Sequence, residues 1–549
     1  MIETIFRRPA DGRSLPFHLC ALLVVFVIKG VALVHWGQIY GRLSVPPVYD
    51  DVTYFTDAVE RLQIFLDHGL AAVIADLINR PPHAPYSTIA SMIAFFIGGP
   101  NPAGPYIMNA ITLALLTVML LRLFRVDAIA TCCIALVIVA TPWFDTTVTM
   151  FHPDLVSGYA AAIIAAVLVW QNEIVRTPAH AAVLGATAGV ILLIKPVAFA
   201  MVIGIWGLAF LIGAATAYRE DKSLSRIAMR LGIGLIPAVI IAGPYFAREI
   251  IGIFKYIYLG FVTEREAWSH RVAPSEHSFY YLTQARSLLQ FWLPVASVGA
   301  LAIFLAGAIS RERLTSLRFA GLMLVAVVAY LVPASLEVKH PYYGGVLYGC
   351  VVVGLILVIH HLLDRLYFRD SFGQLQRPRF AAFGNRPIVG AAGAMIILVA
   401  AANLSDFQPR WGFKIGRASL TEFNNVYDFL KEFSGSEAAV TPPTLVVYFP
   451  SPIPISPHVY RFRGLVDNLL VNPLMSPHET DLQKVIDAAR QASVVVVPDE
   501  DTLKTTYYPF AVAKLMPAFR EWLAQDNRFK HARTVHTVVG AIDIYAVPH

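Results

Sequence analysis

The sequence predicts a polytopic α-helical membrane protein with about 11 transmembrane helices and a C-terminal α/β domain outside the membrane. Three observations predict it. Apolar residues make up 57% of the 549-residue chain and charged residues only 15%, where a soluble domain carries about 25% charge. The apolar residues fall into runs close to the roughly 20 residues that cross a bilayer core. Arginines recur between alternate runs, as they do in loops kept on the cytoplasmic side. Disorder is excluded by the apolar content, and a purely soluble enzyme by the charge depletion. The net charge of +6 is explained by those loops and needs no nucleic-acid partner.

Spans are expected near 15–37, 104–122, 127–141, 155–172, 180–195, 197–217, 227–247, 290–309, 319–335, 342–362 and 387–402. The first follows Arg7, Arg8 and Arg13 without a small-residue cleavage site and reads as a retained anchor. With the N-terminus in the cytoplasm, inner loops hold Arg122 and Arg125, then Arg176, then Arg219, Lys222, Arg226 and Arg230. Further inner loops hold Arg311, Arg313 and Arg318, then Arg365, Arg369, Arg377, Arg379 and Arg386. The opposite short loops hold only Lys195 and Lys339. This asymmetry sets the orientation, and an odd number of spans places the C-terminal part outside.

Three outer segments are large: 38–103, 248–289 and the tail from 403. Residues 1–402 are expected to form the transmembrane domain and 403–549 the extracytoplasmic one. In the first segment, Phe65, Leu66, Leu70 and Ile74 recur at helical spacing among Glu60, Arg61, Asp67 and Asp76, which suggests an amphipathic helix over 58–78 on the membrane surface. The second carries Phe254, Tyr256, Tyr258, Trp268, Tyr280 and Tyr281, an interfacial loop able to fold over a site. In the tail, 445–449 and 493–497 read as buried strands, 480–491 and 513–525 as helices, and 535–539 with 541–547 as strands joined at Gly540. Cys20, Cys132, Cys133 and Cys350 all lie in apolar runs, so neither a disulfide framework nor a zinc site is expected. Lys29 and His35, within or at the end of the first span, are functional candidates as intramembrane ionisable residues, with snorkelling an adequate bland account of Lys29. Gly243-Pro244-Tyr245 is expected to bend a span.

The candidate chemistry lies on the outer side. Asp50 and Asp51 are adjacent carboxylates beside a membrane, where a cation, a basic partner or a catalytic proton would compensate them. The alternative is that Asp51 caps a helix starting at Val52. Arg80-Pro81-Pro82-His83-Ala84-Pro85-Tyr86 precedes the second span. Phe151-His152-Pro153-Asp154 fills the second outer loop, where Asp154 is equally a good helix cap and Asp145 competes with it. Lys195 sits between two spans as a phosphate-binding point charge or an interfacial anchor. Glu337-Val338-Lys339-His340-Pro341-Tyr342-Tyr343 opens a late span, as a basic-aromatic binding segment or an aromatic belt. Arg248, Arg265 and Arg271 are further phosphate candidates.

In order and placement these segments resemble the GT-C superfamily of integral-membrane glycosyltransferases, in its protein O-mannosyltransferase and aminoarabinose-transferase branch. Such proteins carry an acidic motif in the first outer loop, flanked by surface helices, where Asp50 and Asp51 stand here. A Pro-rich segment before the second span is nearer His-Pro-Pro-Leu in that branch, so His83 is displaced. Asp154 matches the second acidic position. The likeness covers about 400 residues as a topology, with an outer α/β domain behind it. It implies a GT-C-like arrangement and an inverting transfer of sugar from a polyprenyl-phosphate donor to a lipid or glycan acceptor at the outer face. Asp50, Asp51 and Asp154 would be catalytic; Lys195, Lys339, His340 and Tyr343 would hold the donor phosphate; His83, Tyr86 and His152 would bind substrate. The one cofactor these carboxylates would take is a divalent cation (Mg, Mn or Ca) at Asp50 and Asp51. A bacterial inner membrane, with the C-terminal domain in the periplasm and a lipopolysaccharide or cell-wall glycan as product, completes the expectation. A transporter or flippase of a lipid-linked or anionic substrate is the alternative. It is weakened by the lack of an obvious internal repeat and by candidate groups gathered at one face. A receptor or assembly factor working through its tail, and a whole-glycan transferase, rank behind.

Overall fold

The structure, a computed structural model, describes residues 14–44, 46–47, 50–221, 223–263, 265, 272–309, 313–366, 416–434, 444–447, 457–467, 471–473, 479–499, 511–537 and 540–548. Helix α1 (Ser14–Tyr40) opens the bundle, and α2 (Asp50–Asn79) and α3 (Pro85–Gly98) fill most of the segment 38–103. Then follow α4 (Ala103–Leu123), α5 (Ala128–Val139), α6 (Pro142–Thr149), α7 (Pro153–Val169), α8 (Pro178–Leu192), α9 (Phe199–Asp221) and α10 (Leu224–Tyr258). Helices α11 (Tyr280–Leu289), α12 (Trp292–Ile309), α13 (Arg313–Ser335) and α14 (Gly345–Leu366) complete it.

Proline at the first helical turn, preceded by a capping residue, starts several of these helices. Pro142 restarts the chain after α5, and the Phe144 N–H donates to the Thr141 hydroxyl. Helices α5 and α6 therefore meet at 65°, and the expected span 127–141 is only the first arm of a bent pair that continues to Thr149. Thr177 caps α8 in the same way through the His180 N–H.

Among the described residues, eight helices are long and apolar enough to cross a membrane, and the bent pair makes a ninth. The eight include α2, but Gly69 (φ 78°, ψ −179°) breaks it into two segments: the first carries Asp50, Asp51, Asp57, Glu60, Arg61 and Asp67, and the second is too short to span. Val52, Phe55 and Val59 are buried, while Leu66, Leu70, Ile74 and Ile78 are exposed, as expected of a helix lying on a surface. The expected spans 155–172 and 180–195 are the shorter helices α7 (17 residues) and α8 (15 residues). The expected span 387–402 lies outside the described residues. Helix α10 does not end near residue 247 but runs on to Tyr258, so Arg248 and Tyr256 are helical and not in a loop.

Backbone contact locks α7 to α14. A Cβ on Gly158 would lie 2.2 Å from the Gly345 carbonyl carbon, and one on Gly349 would lie 2.4 Å from the Gly158 oxygen. Small residues let membrane helices approach this closely.

The C-terminal part is α/β. Helices α15 (Gly416–Ser434), α16 (Pro457–Val466), α17 (Leu482–Gln491) and α18 (Met516–Gln525) accompany strands β1 (Thr444–Val447), β2 (Asn472–Pro473), β3 (Val494–Pro498), β4 (Lys530–Thr537) and β5 (Gly540–Ala546). The sheet order is β2-β1-β3-β5-β4. Strand β1 is parallel to β2 and β3, and β5 is antiparallel to β3 and β4. Strand β4 begins at Lys530, five residues before the expected start at 535, because its polar first half pairs on one side only with β5 and lacks an apolar run. Helix α16 rests on the membrane domain: the Phe462 ring is 6.0 Å from Phe55 and 6.3 Å from Phe95, and Arg461 pairs with Glu60.

Candidate functional site

Asp50 and Asp51 open α2, where the helix dipole favours negative charge. Their neighbours differ. Asp51 is 1% exposed, and its Oδ2 accepts from Arg42 Nη2 and from the Tyr106 hydroxyl, both at 2.7 Å. Arg42 also donates to the Thr149 carbonyl at 3.4 Å and reaches Met150 Sδ at 3.1 Å, so the pair ties α2 to α4 and to the end of α6. Among the described residues nothing hydrogen-bonds to the Asp50 carboxylate. It lies in the electrostatic field of Lys195, His152, His83 and Asp154.

Asp154 follows Pro153 at the start of α7. The residue two places before Pro153, Phe151, has φ 44°, a conformation that side-chain-bearing residues rarely adopt and that collects at functional sites. This reversal turns His152 back, and its Nδ1 lies 2.9 Å from Asp154 Oδ2. Lys195 Nζ reaches the same oxygen at 3.4 Å and His83 Nε2 at 3.5 Å. Lys195 is 6% exposed, and Asp154 offsets the burial of its charge.

Aromatic rings wall the cluster. The His152 ring stacks on Tyr342 with centroids 3.5 Å apart at 20°. The His83 ring lies 4.8 Å from Tyr256, and the Tyr245 hydroxyl donates to the Pro82 carbonyl at 3.0 Å. Crowding by protein, then the Lys195 charge, pushes the His83 imidazole down to about 4, against the opposing pull of Asp50 and Asp154. His83 is therefore neutral at physiological pH and can accept or donate through one ring nitrogen.

The structure thus brings together Asp50, His83, His152, Asp154 and Lys195 from four separate segments. His340 belongs to their rim, 4.7 Å from the Tyr342 ring, and its charge acts on Asp154. Tyr343 stacks on Phe261 at 5.4 Å. Lys339 is turned elsewhere: it is 1% exposed, and its ammonium donates to the Ala334 carbonyl at 2.8 Å and to that of Leu336, at the C-terminal end of α13 where cations are favoured. Tyr86 donates to Asn109 Oδ1 at 2.7 Å, and Asn109 donates to the Thr147 carbonyl at 2.9 Å, a brace between α3, α4 and α6. Arg265 pairs with Glu337 at 2.6 Å, and Arg271 lies outside the described residues. Lys29 does not merely snorkel, since it meets Asp145 at 3.3 Å inside the bundle.

Among the described residues no group of three His, Cys, Asp or Glu side chains is placed to hold a metal. Successive helical side chains point about 100° apart, and Asp51 already has Arg42 and Tyr106 as partners. The described side chains do not fit a cation shared by Asp50 and Asp51. Lys195 is the leading cationic influence on both Asp50 and Asp154.

Arg42 and Tyr106 are site neighbours that sequence reasoning missed, while Tyr256 and Tyr342 were named only within longer aromatic segments. Arg42 carried a signal, an arginine eight residues before the Asp50-Asp51 pair and just after the first apolar run. Arg61, also in the outer segment, is 2% exposed; it pairs with Asp57 and, at 3.0 Å, with Asp76, clasping α2 across its break at Gly69.

No family model and no curated protein matches this chain. Among solved structures it is similar to the crystal structure of ArnT from Cupriavidus metallidurans in the apo state, at a TM-score of 0.52 and 15% identity, over 99% of this chain and 100% of that one. The likeness runs through both the membrane helices and the C-terminal part, and the chain has the fold of that membrane protein.

Proposed function

We propose that this chain is a membrane glycosyltransferase of the GT-C type, which moves a sugar from a polyprenyl-phosphate donor to a lipid or glycan acceptor at the outer face of the membrane and inverts the anomeric centre. ArnT is an aminoarabinose transferase of that type, and the shared fold supports the reading. The observation that carries it is the placement of Asp50, without a hydrogen-bond partner among the described residues, in one field with the Asp154–Lys195–His83 cluster.

The acceptor hydroxyl or amine attacks the anomeric carbon while Asp50 takes its proton as general base. The bond from that carbon to the phosphate oxygen breaks, and polyprenyl phosphate departs with the electron pair. Lys195, and His340 at the rim, stabilise the negative charge growing on the phosphate. Asp154 positions Lys195 and His152, and His152 with Tyr342 offers a stacked face for the sugar. Asp51 acts through the backbone: with Arg42 and Tyr106 it fixes the first turn of α2 and so the place of Asp50.

We place the protein in a bacterial inner membrane, with residues 1–402 as its membrane domain and 403–549 as a periplasmic domain. The test is transfer from radiolabelled polyprenyl-phosphate sugars to membrane extracts by the chain in proteoliposomes. Asp50→Asn is expected to abolish a labelled product that the native chain makes. Full activity in that variant overturns the assignment of Asp50, and uptake of substrate into vesicles with no covalent product overturns the enzymatic reading.

A further inference from the structure

A polar cavity lies at the end of the bundle away from the carboxylate cluster. Helix α7 runs for 17 residues from its start beside Asp154, about 25 Å, and Trp170 at its far end lines a cavity of about 240 Å³. Arg125, Arg176, Arg318, His360 and His361 give it a basic wall, with Glu173 its one carboxylate. Arg318 is 3% exposed and pairs with Glu173, while Arg176 Nε donates to the Glu173 carbonyl at 2.8 Å. Three arginines thus line the cavity beside one carboxylate, which pairs with Arg318.

Two further observations mark this as more than a basic surface. Arg125 has φ 56°, the left-handed region that a side chain disfavours, in the turn that brings it to the cavity. The floor is aromatic: Trp170 packs edge-on to Phe124 and Phe319 at 5.5 and 5.6 Å. A basic rim over an apolar floor matches the junction between a phosphate headgroup and its glycerol and acyl chains. Guanidinium groups bind phosphate through paired N–H donors, and basic pockets between membrane helices suit lipid headgroups.

We propose that this cavity binds the phosphate headgroup of an anionic phospholipid in the leaflet opposite the carboxylate cluster. Free phosphate shares the chemistry but has no use for the aromatic floor.

Native mass spectrometry of the full chain, delipidated in detergent and offered phosphatidylglycerol or phosphatidylcholine, tests it. The native chain is expected to retain phosphatidylglycerol in preference, and Arg125→Gln with Arg176→Gln to weaken that retention about fivefold for each arginine removed. Both side chains are exposed, so the double variant should keep the native melting temperature in phosphatidylcholine. An unchanged preference in that variant overturns the site. If the native chain shows no preference and inorganic phosphate alone protects it against heating, in a way the double variant loses, the lipid is overturned as the source of the phosphate.

Discussion

Lys195 and Asp154 meet at 3.4 Å although they come from different helix ends, one from the turn after α8 and the other from the first turn of α7. Each offsets the burial of the other, and Lys195 also stands against His83. Replacing Lys195 by Met is expected to lower kcat of sugar transfer by about 10²–10³, with Lys195→Arg restoring part of it. Single-turnover rates with a labelled donor would check this; equal rates in the Met variant would remove Lys195 from phosphate stabilisation.

The depressed His83 value gives a signed pH dependence. Its folded value is about 4 and the unfolded value about 6.5, so the unfolded chain binds the extra proton first as pH falls. His83 stability is fully present above pH 6.5 and is lost as pH falls through 4, by at most about 3–4 kcal/mol. His83→Gln is expected to flatten the melting temperature against pH across that window, read by scanning calorimetry in detergent.

Asp50 and Asp51 should separate activity from stability. Asp51→Ala leaves Arg42 charged and buried without its carboxylate, which costs about 3–5 kcal/mol and is read as a lower melting temperature. Asp50→Asn removes no described hydrogen bond and should melt like the native chain while losing transfer. Two variants with the same melting temperature and the same residual activity would contradict the division of roles.

Gly158→Ala places a methyl group against the backbone at Gly345. Backbone cannot give way as a flexible side chain does, so the cost is expected to exceed the roughly 1–3 kcal/mol of ordinary overpacking. A Gly204→Ala control, where nothing lies within 4 Å, should be close to neutral by the same melting assay.

Much of this was legible in the sequence, for physical reasons. Apolar runs report burial directly, so the helices of the bundle and strands β1, β3 and β5 fell near their expected places. Asp50 and Lys195 were singled out because charge is costly beside a membrane, and His83, His152 and Asp154 because their segments resemble a family's; the fold gathers all five. What stayed hidden depends on direction. Lys339 and His340 are adjacent in sequence, yet one ammonium turns back to cap α13 while the neighbouring ring faces the site. Tyr256 was read as a loop residue because polar Arg248 and Glu249 suggested that α10 had ended, whereas the helix continues and carries that ring over His83. The partnership of Asp51 with Arg42 and Tyr106 is a long-range contact that no local pattern encodes.

The glycine contacts between α7 and α14 have a mechanical consequence. Two helices touching through their backbones move as one plank, so the face that carries His152, Asp154 and Tyr342 acts as an anvil. Whatever enters must displace the opposite wall. That wall is α10, which bears Tyr256 over His83 and has Pro237 and Pro244 inside it, each lacking an N–H for the helical ladder. Spin labels on the ends of α10 and α14 nearest the carboxylate cluster should draw apart when a lipid-linked sugar is added, while labels on α7 and α14 keep their spacing.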